Sequence, residues 1–299
     1  MTRLLPPGLL AALVLICLPL GAIAQDAPDP KRGEYLVLAT GGCGCHTDYK
    51  HKGAYLAGGR AIKTPFGLAY GSNITADEKT GLGAWSEEDF VRAMTQGVGL
   101  HGKELFPVFP YTSFTRMERK DLRDMWAYLR TVAPVSLPSK DQGFVPHFSF
   151  RFGVKAWKMM NFTPATFQPD PGQSSAWNRG AYIVTALAHC AECHTPRNLA
   201  GALKPSMAYA GSVDGPEGEP APNITPDDDT GIGKWSLRDI SYYLQTGNDP
   251  DGDVAQGLMG EVIEHGYSKL ADSDLTAIAT YLKALQPIRN KLEKKKEKS

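Results

Sequence analysis

The chain has 299 residues, which allows one large domain or two domains of ordinary size. Hydrophobic residues make up 42% of it and charged residues 21%, the balance of an ordinary globular protein. Its 32 basic and 32 acidic residues cancel, which argues against a nucleic-acid partner because such a partner needs a basic face.

Residues 1–24 are typical of a secretory signal peptide. Arg3 supplies a positive start, an apolar stretch runs from Leu4 to Ile23, and Ala22-Ile23-Ala24 is a small-x-small cleavage signal. An uncleaved membrane anchor is the alternative, although prolines interrupt the apolar stretch at Pro6, Pro7 and Pro19. Such a leader predicts that the mature protein is exported to an oxidising compartment.

After the leader, the chain repeats one pattern at an offset of 147 to 153 residues. Five blocks recur in the same order: Arg32–Val37 with Arg179–Val184, Cys45–Thr47 with Cys193–Thr195, Asn73–Thr75 with Asn223–Thr225, Thr80–Ser86 with Thr230–Ser236, and Asp121–Leu129 with Asp274–Leu282. Because chance does not keep five blocks in order, we predict two tandem domains, residues 30–135 and residues 176–287. These two ranges are called the first repeat and the second repeat below.

Each repeat shows the same coarse plan of helices separated by long loops. A short helix is predicted before a cysteine-histidine motif, at Tyr35–Leu38 and at Tyr182–Ala188. Ser86 and Ser236 are the predicted N-caps of a second helix. Apolar residues at helical spacing predict a last helix from about 118 to 132 and from about 271 to 285. No strand-like alternation persists, so the predicted fold class is all-α.

The two regions outside the repeats differ in composition. The connecting segment, residues 136–175, holds many aromatic residues and prolines, whereas a disordered linker is poor in aromatics. We therefore expect it to pack against both domains. The tail, residues 288–299, is rich in lysine and is expected to be a solvated extension, with docking on an acidic partner or anionic lipid as the alternative.

Four cysteines remain outside the leader, as two close pairs that are each followed at once by a histidine. The run from Cys190 through Cys193 to His194 is a complete Cys-x-x-Cys-His, the attachment signal for c-type haem. Two thiols bond to the vinyl groups on one edge of the porphyrin, and the histidine becomes the proximal ligand of the iron. A zinc site would need further ligands at finger-like spacing, and a redox dithiol would need a preceding strand.

The first motif departs from this spacing. Alignment on Cys45 and His46 places Gly42 where the second repeat has its first cysteine, and Cys43 lies one residue too close. Because the neighbouring glycines permit unusual backbone angles, we expect Cys43 to reach the second vinyl group, with attachment through Cys45 alone as the alternative. His46 is the predicted proximal ligand. The sequence thus predicts two haem c groups.

The sixth ligands are sought among methionines, because methionine opposite histidine is usual in low-spin electron carriers. Met259, which precedes the last helix of the second repeat, is the predicted ligand there. In the first repeat Phe109 occupies the usual place, and Met117 is the predicted ligand instead. His101 is the rival candidate, and an iron without a sixth protein ligand is the third alternative.

Three stretches carry a resemblance to a known family: the repeated Asn-Ile-Thr…Thr-Gly-x-Gly-x-Trp-Ser block, Phe-Pro-Tyr-Thr-Ser-Phe, and Cys-Ala-Glu-Cys-His-Thr-Pro-Arg-Asn. The chain resembles the cytochrome c subunits of membrane-associated bacterial alcohol, gluconate and aldehyde dehydrogenases over nearly its whole mature length. Many members of that family carry three haems, whereas this chain has two motifs. The resemblance implies a periplasmic carrier at the outer face of the inner membrane. It would take electrons from a dehydrogenase catalytic subunit and pass them to quinone or to another respiratory cytochrome.

Two other classes of function stay open at this point. The first is a di-haem enzyme of the peroxidase or thiosulfate-oxidising type, suggested by the missing methionine at Phe109. The second is a module that binds a metal without haem. No dinucleotide-binding or nucleophile-elbow motif is present, so catalytic residues are expected in a partner rather than in this chain.

Overall fold

The computed structural model describes residues 27–144 and 151–292, and these residues are mostly helical. The predicted signal peptide and residues 293–299 of the predicted tail lie outside them. The α-helices are α1 (Pro30–Ala39), α2 (Glu87–Gln96), α3 (Tyr111–Phe114), α4 (Arg119–Leu129), α5 (Arg151–Asn161), α6 (Ser175–Tyr182), α7 (Ala191–His194), α8 (Leu237–Thr246), α9 (Gly257–His265) and α10 (Asp272–Lys283). A π-helical turn, Ile183–Leu187, continues α6 toward the second motif.

Local capping explains where the middle helix of each repeat begins and ends. Ser86 and Asp89 form a capping box at the start of α2, and Ser236 and Asp239 form the same box at the start of α8. Both helices end at a glycine with a left-handed backbone, Gly97 and Gly247. The predicted N-caps are therefore confirmed.

The first and last helices of each repeat pack closely against each other. A Cβ atom on Gly33 of α1 would overlap the backbone carbonyl of Asp124 in α4, and one on Gly180 of α6 would overlap that of Ala277 in α10. Only glycine allows helices to approach so closely. The recurring Arg-Gly pairs of the sequence therefore mark the two helix crossings.

Two tyrosines join the repeats to each other by the same pair of contacts. Tyr35 of α1 donates a hydrogen bond to Asp274 of α10 (2.7 Å), and Tyr182 of α6 donates one to Asp121 of α4 (2.6 Å). Each aspartate also pairs with an arginine of its own repeat, Arg179 or Arg32 respectively. Each tyrosine hydroxyl in turn accepts a backbone N–H at the start of the helix that it contacts. The first helix of each repeat thus contacts the last helix of the other.

A small antiparallel sheet departs from the predicted all-α class. Strand β1 (Ala61–Thr64) pairs with β2 (Gly67–Tyr70), and β2 pairs with β3 (Gly143–Phe144). The strands have four, four and two residues, too few for alternation to be recognised in the sequence. The described residues are nevertheless mostly helical, so the predicted class is confirmed in this coarser form, and the small sheet is an element that the sequence did not predict.

The connecting segment contacts residues of both repeats. Lys158 of α5 donates hydrogen bonds to the carbonyls of Gln96 and Gly97, and its side chain forms an ion pair with Glu104. Trp157, on the same helix, donates to the carbonyl of Ala200 (2.7 Å). In the ranges that the structure describes, no helix is both long and apolar enough to span a bilayer.

Candidate haem sites

The two motif histidines are oriented in the same way. The Nδ1 atom of His46 lies 2.7 Å from the carbonyl oxygen of Ser72, and that of His194 lies 2.7 Å from the carbonyl oxygen of Pro222. A carbonyl can only accept, so Nδ1 carries the proton in both rings. Nε2 is then the unprotonated nitrogen, the form that binds a metal.

The threonine that follows each histidine fixes the loop around it. The hydroxyl of Thr47 accepts the backbone N–H of Leu56, and that of Thr195 accepts the N–H of Tyr209, both at 2.9 Å. Both threonines are buried. The sequence signal was the recurrence of threonine after Cys-His, but this positioning role became visible only in the structure.

The second motif forms a single helical turn. The backbone N–H groups of Cys193 and His194 both donate to the carbonyl of Cys190. Burial raises the pKa of the Cys190 thiol to about 12, so this thiol is neutral at physiological pH. Burial, and to a lesser extent the charge of Cys45, raises the pKa of the Cys193 thiol to about 12 as well.

The first motif is built on a left-handed stretch of backbone. Gly41, Gly42 and Cys43 have φ values of 76°, 69° and 51°, and a 3₁₀ turn, Gly44–His46, follows. A Cβ atom on Gly42 would lie 2.5 Å from the carbonyl oxygen of His265. This close approach explains why no cysteine occupies that position and why the cysteine is displaced by one residue.

The residues of both motifs fit covalent haem. All four cysteines are free thiols, and no group of three or more His, Cys, Asp or Glu in the described ranges is arranged to hold a metal ion. Cys45 is reached by solvent, yet desolvation raises the pKa of its thiol. Desolvation likewise lowers the pKa of the partly exposed His46.

Each motif also contacts the other repeat, just before that repeat's last helix. The hydroxyls of Thr112 and Ser113 donate to Glu192, which lies between the second pair of cysteines, at 2.6 and 3.0 Å. At the first motif the ring of Tyr49 stacks on His265, with 3.8 Å between ring centroids. Sequence reasoning treated the motifs as separate and gave Glu192 no role.

The predicted sixth ligands lie in different environments. Met259 is partly buried on α9 and packs against the core, whereas Met117 is 2% exposed and packs inside it. Met117 lines a cavity of about 300 Å³ together with Val91 and Leu122. His101 is exposed. Both methionine assignments stay predictions.

Comparison with known proteins places the chain among cytochrome subunits, although no family model matches it. It is 39% identical to the fructose dehydrogenase cytochrome subunit of Gluconobacter japonicus, over 86% of this chain and 53% of that protein. It is 37% identical to the gluconate 2-dehydrogenase cytochrome c subunit of Pantoea cypripedii, over 92% and 64% respectively. It is 36% identical to a diheme cytochrome c-type of Cereibacter sphaeroides, over 87% of both chains. The chain thus spans only about half to two thirds of the two dehydrogenase subunits.

Proposed function

Because the chain belongs to the c-type cytochrome family of the Cereibacter sphaeroides diheme protein, we propose that it is a periplasmic di-haem electron carrier with two tandem cytochrome c domains. The domains would comprise residues 30–135 and 176–287. The observation that carries the proposal is the matched pair of 2.7 Å contacts from His46 and His194 to backbone carbonyls, because it prepares Nε2 of both rings as an iron ligand.

Two sets of side chains would hold the haems. Cys190, Cys193 and His194 would hold one, and Cys45, His46 and Cys43 the other. Each haem supplies a one-electron couple, and the protein tunes its potential through the axial ligand and burial. Met259 and Met117 are the proposed axial ligands opposite the histidines.

Intact mass of the periplasmic protein tests the attachment, because thioether-bonded haem survives denaturation and acidic acetone. We expect the mass of the chain plus two haems, and loss of one haem in the double variant Cys190→Ala/Cys193→Ala. The variant Cys43→Ala shows whether the first haem is attached through two thioethers or through Cys45 alone. If Cys43 forms a thioether, the haemochrome band of that haem shifts to longer wavelength in the variant, because one vinyl group stays unsaturated. An unshifted band would mean that Cys45 alone is bonded.

The proposed electron donor is a dehydrogenase catalytic subunit, and the proposed acceptor is quinone or another respiratory cytochrome. Support comes from the names of the relatives, which include cytochrome subunits of fructose, gluconate and quinone-dependent alcohol dehydrogenases. Reduction of the purified cytochrome by such a catalytic subunit and its substrate tests this, with quinone reduction as the second readout. A chain that accepts no electrons from any of these subunits contradicts the proposed donor class.

Contact with the membrane surface is supported by the outward face of α5. Phe152, Met159 and Met160 are 84%, 82% and 76% exposed, and Lys155 lies beside them on the same exposed face. An amphipathic helix of this kind lies in a bilayer interface with its apolar face inward. We expect the protein to co-float with anionic phospholipid vesicles and the variant Met160→Ser to bind them less. Equal binding by both proteins would remove α5 from this role.

The alternative is a di-haem enzyme with one catalytic haem, favoured by Phe109 at the usual position of the sixth ligand. Phe109 is partly buried and its ring lies 5.6 Å from that of Phe114. Optical spectra separate the two functions. Two low-spin haems support the carrier, and a high-spin haem that binds cyanide or peroxide rapidly supports the enzyme.

A further inference from the structure

The side chain of Arg60, just before β1, links the first motif to the second repeat. Its Nη1 atom forms an ion pair with Glu261 of α9, and its Nη2 atom lies 3.8 Å from a carboxylate oxygen of Glu217. The same Nη1 atom lies 3.4 Å from the carbonyl oxygen of Gly44, the residue between the two cysteines of the motif. Two carboxylates of the second repeat therefore hold a cation of the first repeat beside the first motif.

The three charges of this cluster are largely shielded from solvent. The side chain of Arg60 is 11% exposed, and those of Glu217 and Glu261 are 28% and 35% exposed. Salt and water screen such partly buried charges much less than they screen surface charges. Because the guanidinium contacts the motif backbone, a haem bonded to this motif lies close to a weakly screened positive charge.

The helix that supplies Glu261 also packs against the first motif. A Cβ atom on Gly41 would lie 3.2 Å from a methyl group of Val262, and the ring of His265 stacks on that of Tyr49. His265 follows Glu261 by four residues and Val262 by three, so these side chains share one side of α9. The packing of α9 thus fixes Glu261, and with it the guanidinium, relative to the motif.

The second motif also has an arginine beside it, but the charges are arranged differently. Arg197 donates to the carbonyl of Glu192 (3.1 Å) and forms an ion pair with the carboxylate of the same residue (2.6 Å). Its counter-charge is therefore part of the second motif itself. At the first motif the anions that pair with Arg60 belong to the other repeat and lie outside the motif.

We propose that Arg60 raises the reduction potential of the haem at the first motif, and that Glu261 limits this effect from the other repeat. This inference rests on the proposed di-haem function. In the reduction one electron from the donor converts the ferric iron to ferrous iron, and no bond is formed or broken. The reduced site carries one positive charge fewer, so a cation beside it stabilises the reduced form and an anion opposes it.

Three variants of the full mature protein separate an effect of charge from a loss of structure. Arg60→Gln removes the cation, Arg60→Lys keeps the charge without the planar fork, and Glu261→Gln removes an anion. The controls make the same two changes of charge at exposed positions: Glu264→Gln on the same helix, and Arg289→Gln. The readouts are intact mass and a spectroelectrochemical titration that resolves the midpoints of both haems.

The expected result is two haems in every protein and a shift of one midpoint. In Arg60→Gln the equilibrium constant for reduction of that haem should fall about tenfold, which is about 59 mV for one electron. This is the scale of one charge about 10 Å away in a medium with a dielectric constant of about 20. In Glu261→Gln the same midpoint should rise, and Arg60→Lys and both controls should stay near wild type.

The opposite signs identify an effect of charge, because a loosened site that admits water would lower the potential in both variants. Should Arg60→Gln fail to fold, Glu261→Gln decides by the sign of its shift. Shifts of the same sign, or shifts no larger than those of the controls, would overturn the role of Arg60 alone. A single haem in the wild-type protein would overturn the di-haem function as well.

Discussion

Replacement of Tyr182 by phenylalanine should weaken the contact between the two repeats without creating a cavity. The hydroxyl of Tyr182 donates to Asp121 (2.6 Å) and accepts the backbone N–H of Glu118 (3.1 Å). Tyr182 is 5% exposed and Asp121 is 1% exposed, so water does not replace the lost donor easily. Asp121 would keep its ion pair with Arg32.

The expected loss in the free energy of unfolding is about 2 kcal/mol, since a hydrogen bond to a charged group contributes about 1.5–3 kcal/mol. The N–H of Glu118 adds little, because Glu118 is exposed and water can accept from it. The corresponding variant, Tyr35→Phe, should lose about 1 kcal/mol, because Tyr35 is partly exposed and Asp274 keeps two hydrogen bonds from Arg179.

Guanidinium unfolding of the haem-loaded proteins, followed by tryptophan fluorescence and far-ultraviolet circular dichroism, measures these losses. Tyr242→Phe is the control, since Tyr242 is 51% exposed and its replacement should change stability by less than about 0.5 kcal/mol. The reasoning is refuted if Tyr182→Phe is as stable as this control, or if Tyr35→Phe loses more than Tyr182→Phe.

Three further variants test other parts of the structure. Gly33→Ala should cost about 3 kcal/mol or more, because its Cβ would overlap the carbonyl of Asp124; a loss below about 1 kcal/mol in denaturant unfolding contradicts that helix crossing. The pKa of Asp274 is lowered from 3.8, because hydrogen bonds from Arg179 and Tyr35 outweigh the opposing effect of burial. The ionised Asp274 carboxylate therefore stabilises the folded protein fully above about pH 4, and this contribution is lost as the pH falls through the lower folded pKa. Between about pH 5 and about pH 3, the free energy of unfolding should fall less in Asp274→Asn than in the wild-type protein. Met259→Ala should lower the potential of one haem and leave its attachment intact; an unchanged redox titration and spectrum would remove Met259 as the ligand.

The capping signals and the small sheet show how far local sequence patterns reach. Ser86 and Asp89 lie three residues apart, so the start of α2 could be predicted from the sequence alone. The pairing of Gly67 with Phe144 joins residues far apart in the chain, and each strand has at most four residues. Such pairing leaves no local periodicity, so the sheet was not predicted.

At the first motif, the sequence showed that a cysteine is displaced, and the structure showed why. The sequence showed that Gly42 stands where a cysteine was expected, but it gave no reason. The reason is the carbonyl of His265, which belongs to the other repeat and leaves no room for a side chain. Similarly, Glu192 looked like an ordinary residue between two cysteines until its hydrogen bonds with Thr112 and Ser113 were visible.

The sequence by itself determined the cysteine-histidine motifs, the repeated pattern and the starts of α2 and α8, because thiol spacing and capping act over a few residues. Only the tertiary structure decided that the two repeats contact each other reciprocally. Tyr35 and Asp274 are 239 residues apart in the chain, and no local pattern specifies which buried carboxylate a tyrosine will meet. That choice depends on the packing of whole helices, which is a property of the folded molecule.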